Sequence, residues 1–339
     1  MNTRLSVVIP AFNAETTIAD AVRAVVDQPL PRETFECLVV DDASRDQTAE
    51  MARRAGAVVI SHSTNRGPSA ARNTGVAAAR GAWIAFTDAD CVPSRRWLPA
   101  LLAATETAPR TILGFAGKTV GLDSKTPAAR FMDLIGSLDA ENYLRHGVMP
   151  WAPSCNLAIR RSDLLAVGGF DSAFLNYETP ELHLRLGDRF GGTVVCVPTA
   201  LVMHRHRASW TEFWRQQTSY GRGYAHFLQS YPQRWPWSVR AELTSWARLV
   251  LAGLRATTGR ADEGLVRRGM FLKQLAQRIG FSRAYFFQVR AKGLFSAPLS
   301  AVTTNRPARV ESNQPVNFRK FAFSFQKTPR NALLWSFLE

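Results

Sequence analysis

Long apolar runs are missing from this sequence of 339 residues, which has no stretch of about eighteen apolar residues, the length that crosses a bilayer. A signal peptide is also missing, because the apolar run at residues 5–10 ends in a proline and is typical of a buried strand. We therefore expect neither a transmembrane helix nor a secretion leader.

Cysteine is scarce, and the four cysteines, Cys37, Cys91, Cys155 and Cys196, have no paired metal-binding spacing. In a chain without a leader they are more typical of small buried apolar residues than of disulfides. This favours a reducing, cytoplasmic location.

Acidic residues are nearly absent from the C-terminal part. Residues 1–204 hold 20 basic and 21 acidic residues, whereas residues 205–339 hold 22 basic and 6 acidic ones. A region with such an excess binds a polyanion, either nucleic acid or an anionic membrane, unless it is only a solvated basic surface. No nucleic-acid-binding motif is present, so we expect no nucleic-acid partner.

Short apolar runs alternate with helical patterns in the first 120 residues, which predicts an α/β doubly wound fold with a largely parallel sheet. Further along the chain we expect a strand at 151–159, a helix at 181–190 and a strand at 193–197. The early strands are predicted at 5–9, 37–40, 57–60, 83–86 and 112–116, and the helices at 16–26, 47–55, 69–79 and 96–108.

Three regions follow from these patterns. We predict an α/β domain over residues 1–210 and a basic, aromatic helical region over 211–297. Periodicity weakens where Pro, Asn, Ser and Thr become frequent, so residues 298–339 are expected to form an extended or partly disordered tail.

Polar residues cluster where the predicted strands end, which is where ligands bind in folds of this class. The first strand ends without a glycine-rich G-x-G-x-x-G turn, which argues against a nicotinamide or flavin enzyme. The second ends in Asp41 and Asp42; a helix cap explains one of these carboxylates but not both. The fourth ends in Asp88 and Asp90, which in an extended segment point to one side, as two ligands of a divalent cation would.

A turn that enters a helix at residues 65–73 carries Arg66 and Arg72 near the helix N-terminus. Such a position attracts anions by geometry and charge. Equally, Arg72 is interpreted as a structural residue that holds the loops together through a carboxylate.

The segments SVVIPAFNAETTI, VVDDASRDQT, NRGPSAARNTGVAAARGAWIAFTDADC and GGFDSAFLNYETPELHLRL resemble family 2 glycosyltransferases of the GT-A fold. The resemblance covers about the first 205 residues, in the expected order. It implies a nucleotide-diphosphate sugar donor, a Mg²⁺ or Mn²⁺ cofactor and an inverting displacement. It also favours a UDP-sugar, because uridine nucleotides are frequent in that family.

The same resemblance implies roles for particular residues. Donor-binding residues would be Pro10, Ala11, Phe12, Asn13, Asp41, Asp42, Arg72, Asn73 and Asp88, with Asp41 at the edge of the base. Asp90 would hold the metal, together with Asp88 and His204. Asn156 matches a family position near the acceptor, and Trp151 offers a flat face for a sugar ring or is simply a buried aromatic residue.

The sequence departs from the family at the catalytic base. Thr179 stands where the family usually has its catalytic Asp, so either Glu178 or Glu181 supplies the base, or the protein binds nucleotide sugars with little or no catalysis. We favour Glu178, which precedes the predicted helix, since the helix dipole alone explains Glu181 in the first turn. A nucleotidyltransferase is a third hypothesis, although its usual glycine-rich basic loop is missing.

Aromatic residues alternate with arginines in the basic region. Basic amphipathic helices with tryptophan suit a membrane interface, and the alternative is a helical subdomain that packs its aromatic residues internally. We therefore expect a peripheral protein on the inner face of the cell membrane that glycosylates a glycan or lipid-linked acceptor, as in polysaccharide biosynthesis.

Overall fold

The eight strands of the protein form one mixed sheet with the order β3-β2-β1-β4-β7-β6-β8-β5. The computed structural model describes residues 3–146, 150–256 and 261–294. Strands β1 to β4 run parallel, β7 is antiparallel to both its neighbours, β6 and β8 are parallel, and β5 is antiparallel to β8. The strands are β1 (Leu5–Ala11), β2 (Phe35–Asp41), β3 (Val58–Ser61), β4 (Trp83–Phe86), β5 (Cys91–Pro93), β6 (Ile112–Gly121), β7 (Leu157–Arg160) and β8 (Thr193–His204).

Helices cover the sheet and continue beyond it, which confirms the predicted mixed α/β fold with a helical C-terminal region. The four helices predicted between residues 16 and 108 are all present, with ends shifted by one or two residues. The helices are α1 (Ile18–Val26), α2 (Thr48–Arg54), α3 (Pro68–Ala78), α4 (Trp97–Glu106), α5 (Pro127–Leu134), α6 (Ala140–His146), α7 (Arg161–Ala166), α8 (Glu178–Phe190), α9 (Trp210–Ser230), α10 (Val239–Arg255) and α11 (Ala261–Leu294).

Strand β1 shows why the central strands are continuously apolar. Val7 and Ile9 belong to the core on one face of the sheet, while Val8 belongs to a second core on the other face. Both faces of the strand are therefore buried, and alternation of polar and apolar residues is absent, as in other parallel sheets with helices on each side.

Several strand predictions were incomplete, and strand β5 was not predicted. The strand predicted at 151–159 begins only at Leu157, because a 3₁₀ turn at Ser154–Asn156 follows Pro153. Strand β5 has three residues, too few for a periodic signal. Strand β8 runs seven residues beyond its predicted end at Val197, because it pairs with β6 and then with β5. This extension carries His204 to the edge of the sheet.

The helical region begins at Trp210, after Ser209 caps α9 in a capping box with Glu212. Helices α9 and α11 approach closely at two glycines: a Cβ on Gly221 would lie 1.9 Å from the carbonyl oxygen of Gln277, and one on Gly280 would lie 2.0 Å from that of Thr218. The predicted tail at 298–339 lies outside the described residues.

The aromatic residues of this region mainly pack inside the protein. Phe213 is 1% exposed and meets Phe131 of α5 in an edge-to-face contact, and Trp235 packs on Phe227. Within the described ranges, every helix is either too short or too polar to cross a membrane.

Gly75 sets the distance between α3 and the sheet. A Cβ there would lie 2.4 Å from Cγ1 of Val8, in a core without free space. We predict that Gly75→Ala lowers the free energy of unfolding by about 1–3 kcal/mol, the usual cost of overpacking.

Gly187 of α8 is the matched control, because a Cβ there meets no atom within 4 Å. Gly187→Ala should be neutral or stabilising by up to about 1 kcal/mol in urea titrations. Equal destabilisation by both substitutions would show that the α3 contact does not limit stability.

Candidate functional site

A large cavity of about 660 Å³ opens at the carboxyl ends of β1 and β4. Its wall includes most of the residues assigned to donor binding from the sequence. The lining residues are Pro10, Ala11, Phe12, Asn13, Ala14, Thr16, Thr17, Asp42, Asn65, Gly67, Pro68, Ala71, Arg72, Asp88, Ala89, Asp90, Leu175 and Arg207. We call it the strand-end cavity.

A second cavity of about 350 Å³ adjoins it, and we call this the helical cavity. The two share Pro68, Arg72, Asp88, Asp90, Leu175 and Arg207. The helical cavity is also lined by α8, by Trp151 and by residues of α9 and α11, among them Tyr220 and Lys273. The helical region therefore contributes directly to the site.

Arg72 lies at the junction of the two cavities. Its guanidinium donates to Oδ1 of Asp88 at 3.0 Å and to Oε1 of Glu178 at 3.1 Å, and its side chain is 5% exposed. It also lies over the ring of Phe170. A buried cation between two carboxylates is strongly held, because loss of either partner leaves a buried charge uncompensated.

Glu178 is the first residue of α8, and its side chain is 14% exposed in the helical cavity. Burial raises the pKa of its carboxyl group, and Arg72 offsets part of that effect. The preceding residue, Tyr177, has a left-handed backbone with φ of 72°. Such strain is costly for a non-glycine residue, and here the Tyr177 ring packs against Tyr224 and Phe227.

Asp88 and Asp90 line both cavities, although not for the reason that the sequence suggested. The segment is a turn, closed by a hydrogen bond from the amide of Cys91 to the carbonyl of Asp88 at 3.1 Å. The extended geometry assumed for i and i+2 is therefore wrong. The tight turn between β4 and β5 nevertheless brings both carboxylates to the same wall.

Asp90 and His204 form a candidate metal site. Pairing of β5 with β8 places Cys91 opposite His204, and Nε2 of His204 lies 3.5 Å from Oδ1 of Asp90. The other ring nitrogen of His204 lies 3.2 Å from Nδ1 of His206. Burial and the neighbouring His204 lower the pKa of His206 to about 4, so His206 is neutral near pH 7.

Cys91 completes a group whose ligand atoms lie within 4.8 Å of one another. Its hydrogen bond with Cys155, together with burial, raises the pKa of its thiol well above the ordinary value. A protonated thiol does not bind hard cations, so the donor set that remains is a carboxylate and an imidazole.

Asp41 and Asp42 hold loops in the structure. Asp41 is buried and accepts a hydrogen bond from the amide of Ser44, and it is not part of the wall of either cavity. Asp42 reaches the strand-end cavity, but its carboxylate accepts from the amides of Arg66 and Gly67 and contacts His62 at 2.6 Å. The structure therefore does not place Asp41 at the edge of a base in that cavity.

Two asparagines assigned from the sequence lie outside both cavities. Asn73 forms paired hydrogen bonds with the backbone of Phe170, at 2.7 and 2.8 Å. Asn156 is 1% exposed, donates to the carbonyls of Lys118 and Ala200 and accepts from Trp97. With all their hydrogen bonds inside the protein, these side chains fix loops and strands.

Glu181 is sequestered from the cavities. Both its oxygens accept from Arg185 at 2.6 Å, and Tyr231 donates to Oε1 at 2.8 Å. Its side chain is 2% exposed. Of the two carboxylates left open by the sequence, only Glu178 faces a cavity.

Several lining residues carried no local signal. Trp151, which was singled out from the sequence, packs on Tyr143 and lines the helical cavity; its contact with a sugar ring stays a prediction. Arg207, Tyr220 and Lys273 reach the same cavity from the end of β8, α9 and α11. No motif marks them, since their positions depend on how the helical region packs.

The fold is of the GT-A class of α/β folds. The mannosyltransferase PcManGT from Pyrobaculum calidifontis, solved with GDP-Man and Mn²⁺, is similar with a TM-score of 0.50 and 18% identity, over 88% of this chain and 77% of that one. Glucosyl-3-phosphoglycerate synthase from Mycobacterium tuberculosis, solved with Mn²⁺, UDP-Glc and phosphoglyceric acid, is similar with a TM-score of 0.50 and 22% identity. The match covers 67% of this chain and 79% of that one.

Residues 6–168 match the family model described as Glycosyl transferase family 2. The pre-mycofactocin glycosyltransferase of Mycobacterium tuberculosis is 30% identical over 238 residues, which cover 68% of this chain and 48% of that protein. The probable glycosyltransferase YdaM of Bacillus subtilis is 29% identical over 65% of this chain and 55% of its own. Through its residues 6–168 the chain belongs to glycosyl transferase family 2. It spans about half the length of the curated relatives it matches.

Proposed function

We propose that the protein is an inverting glycosyltransferase that moves a sugar from a nucleoside-diphosphate donor to a hydroxyl group of a glycan or lipid-linked acceptor. The observation that carries this proposal is the junction of two cavities at Arg72, with Asp88 and Asp90 on the shared wall and Glu178 in the helical cavity. The donor would occupy the strand-end cavity and the acceptor the helical cavity.

The strand-end cavity has features that suit a nucleoside diphosphate. Its volume falls in the usual range for small-molecule sites, about 300–1,000 Å³. Phe12 is 49% exposed on its wall and offers a ring on which a base stacks. The N-terminus of α3, which begins at Pro68, and the guanidinium groups of Arg72 and Arg207 give this wall groups that attract phosphate.

Asp90 and His204 fit a divalent cation of the Mn²⁺ or Mg²⁺ type, because their ligand atoms converge and Asp90 remains 24% exposed to the cavity. A cation held there would neutralise charge on the departing diphosphate. Arg207, 4.0 Å from Asp90 and shared by both cavities, adds a cationic group near the same place. Asp88 is tied to Arg72, so its proposed role is to orient that arginine and the donor.

Glu178 is the proposed general base. An inverting displacement needs one carboxylate on the acceptor side, which takes the hydroxyl proton as the oxygen attacks the anomeric carbon. Glu178 lies in the helical cavity, and Arg72 links it to the wall shared with the donor site. Its raised pKa makes it a better proton acceptor than an ordinary glutamate.

The alternative function is nucleotide-sugar binding with weak or no catalysis, which Thr179 motivates. Thr179 is 4% exposed beside Glu178 on the wall of the helical cavity. Donor binding without transfer or hydrolysis by the unmodified protein would favour this alternative, and transfer gained in Thr179→Asp would establish it.

Asp90→Asn should weaken Mn²⁺-dependent binding of a nucleoside diphosphate by at least about tenfold, because a charged ligand is lost without a change in size. UDP and GDP are compared by calorimetry with and without Mn²⁺. The family resemblance favours UDP.

Asp123→Asn is the control for this experiment, since Asp123 is an exposed carboxylate paired with Lys125 outside both cavities. It should bind as the unmodified protein does. Unchanged Mn²⁺-dependent binding in Asp90→Asn would remove Asp90 from the metal site.

Glu178→Gln should lower kcat for sugar transfer by at least about 100-fold while nucleotide binding persists, because the amide keeps the shape of the side chain but accepts no proton. Release of nucleoside diphosphate in the presence of acceptor measures the rate. Unchanged kcat would place the base elsewhere.

Glu181→Gln separates this effect from damage to α8. Since Glu181 is bound to Arg185 and Tyr231, its loss should lower the melting temperature but leave kcat of the folded protein within about tenfold. Loss of transfer in a stable Glu181→Gln protein would show that the two carboxylates are assigned the wrong way round.

We also propose that α10 rests on an anionic membrane surface, as at the cytoplasmic face of a cell membrane. Its outer side exposes Val239, Leu243 and Val250, which are 59%, 65% and 63% exposed, beside the exposed Arg240 and Arg248. Apolar residues flanked by arginines suit an interfacial helix. Most aromatic residues of the helical region pack internally and are not available to a membrane. The proposal therefore rests on the exposed apolar side of α10 and on the excess of basic residues.

Vesicles of phosphatidylcholine with phosphatidylglycerol should co-sediment the protein more than pure phosphatidylcholine vesicles do. The double substitution Leu243→Glu and Val250→Glu should reduce binding at least about tenfold. Val58→Glu, at an apolar side chain of β3 that is 58% exposed, should have no effect. Equal binding to neutral vesicles, or none to either kind, would contradict the proposal.

A further inference from the structure

Lys273 projects from α11 into the wall of the helical cavity. Burial lowers the pKa of its ammonium group, and no neighbouring charge offsets this effect. Over residues 3–146, 150–256 and 261–294, the structure shows neither a hydrogen bond nor an ion pair to this group. The Lys273 side chain is half-buried, so the ammonium group is partly desolvated but still open to the cavity, and without a counter-ion it is available to an anionic group of a ligand.

The carboxylates on the same wall are already engaged. Asp88 and Glu178 are bound to Arg72, and Asp90 faces His204 and Arg207. None of the three is available to Lys273 as a counter-ion within 4.0 Å.

Neutral polar side chains also line the helical cavity near the helix of Lys273. Gln217 is 1% exposed and accepts from Gln277 at 2.8 Å, an interaction that joins α9 to α11. Gln216 and Tyr220 line the same cavity. Amides and a phenol hydrogen-bond the hydroxyl groups of a sugar, but they do not neutralise a cation.

A donor bound in the strand-end cavity does not supply a counter-ion for Lys273. Arg72 and Arg207 line the strand-end cavity as well as the helical one, whereas Lys273 lines only the helical cavity. A group that pairs with Lys273 therefore belongs to whatever occupies the helical cavity.

We infer that the acceptor carries an anionic group, a phosphate or a carboxylate, which binds Lys273 while an acceptor hydroxyl lies near Glu178. This inference rests on the proposed function, because it takes the helical cavity as the acceptor site. It narrows the acceptor from any glycan or lipid to one with an acidic group beside the reactive hydroxyl.

Calorimetry on the full chain tests this inference with four probes: glucose 6-phosphate, glucuronate, octyl phosphate and neutral glucose. UDP or GDP with Mn²⁺ is present in excess, so that an anion cannot occupy the strand-end cavity. At least one acidic probe should bind at least tenfold more tightly than glucose. Glucose 6-phosphate or glucuronate would indicate a soluble or glycan acid, and octyl phosphate a lipid phosphate.

Lys273→Met should reduce binding of that probe at least tenfold, since a charge-assisted hydrogen bond is lost. Arg283→Met removes a charge from an exposed position of the same helix, outside the cavities, and should bind as the unmodified protein does. Equal binding of acidic probes and glucose, or unchanged binding in Lys273→Met, would overturn the inference.

The melting temperature of Lys273→Met gives a second test of the inference. If Lys273 has no partner within the protein, methionine should leave the melting temperature unchanged or raise it slightly, because no internal ion pair is lost and the partial desolvation of an ammonium group is relieved. A fall of several degrees would reveal an internal counter-ion and would also overturn the inference. Failure of UDP and GDP to bind would count against the proposed function alone, because the loss of acidic-probe binding in Lys273→Met reports on the helical cavity even without nucleotide.

Discussion

A buried arginine between two carboxylates is the interaction on which the site depends. Arg72 comes from α3, Asp88 follows β4 and Glu178 begins α8, so one guanidinium ties three distant segments together. Because a buried charge tolerates no loss of its partners, this network fixes both the shared wall of the two cavities and the start of α8. The contact between Gly75 and Val8 sets α3 against the sheet and so sets where that guanidinium lies.

The sequence predicted the part of the fold that local patterns specify. Strand β4 was predicted with its correct ends, and the helices of the first half were found because apolar residues repeat at helical spacing. The strand-end residues Pro10 to Asn13, Asp88 and Asp90 were placed together because carboxyl ends of parallel strands meet at one edge. Of the two interpretations of Arg72, the structure shows the bracing of two carboxylates; Arg72 also lines both cavities, and its role in binding an anion stays a prediction.

What the sequence left open depends on long-range packing. Whether Asn73 and Asn156 face a cavity or a neighbouring backbone is decided by segments up to 97 residues away, such as the loop at Phe170 that Asn73 holds. The pattern of apolar residues did not predict that β8 continues to His204, because pairing with β5 and β6 stabilises the end of that strand. Lys273 and Tyr220 could not be predicted as cavity residues, since their helix faces are selected only when α9 and α11 pack.

The proposed function depends on a nucleoside diphosphate that binds in the strand-end cavity beside a divalent cation held by Asp90 and His204. Anomalous diffraction from crystals soaked with Mn²⁺ and the tighter binding of UDP and GDP tests it most directly. We expect a manganese peak within bonding distance of Asp90 and His204, with the diphosphate next to it and the base towards Phe12. A nucleotide bound elsewhere, or a peak that Asp90 does not touch, would contradict it.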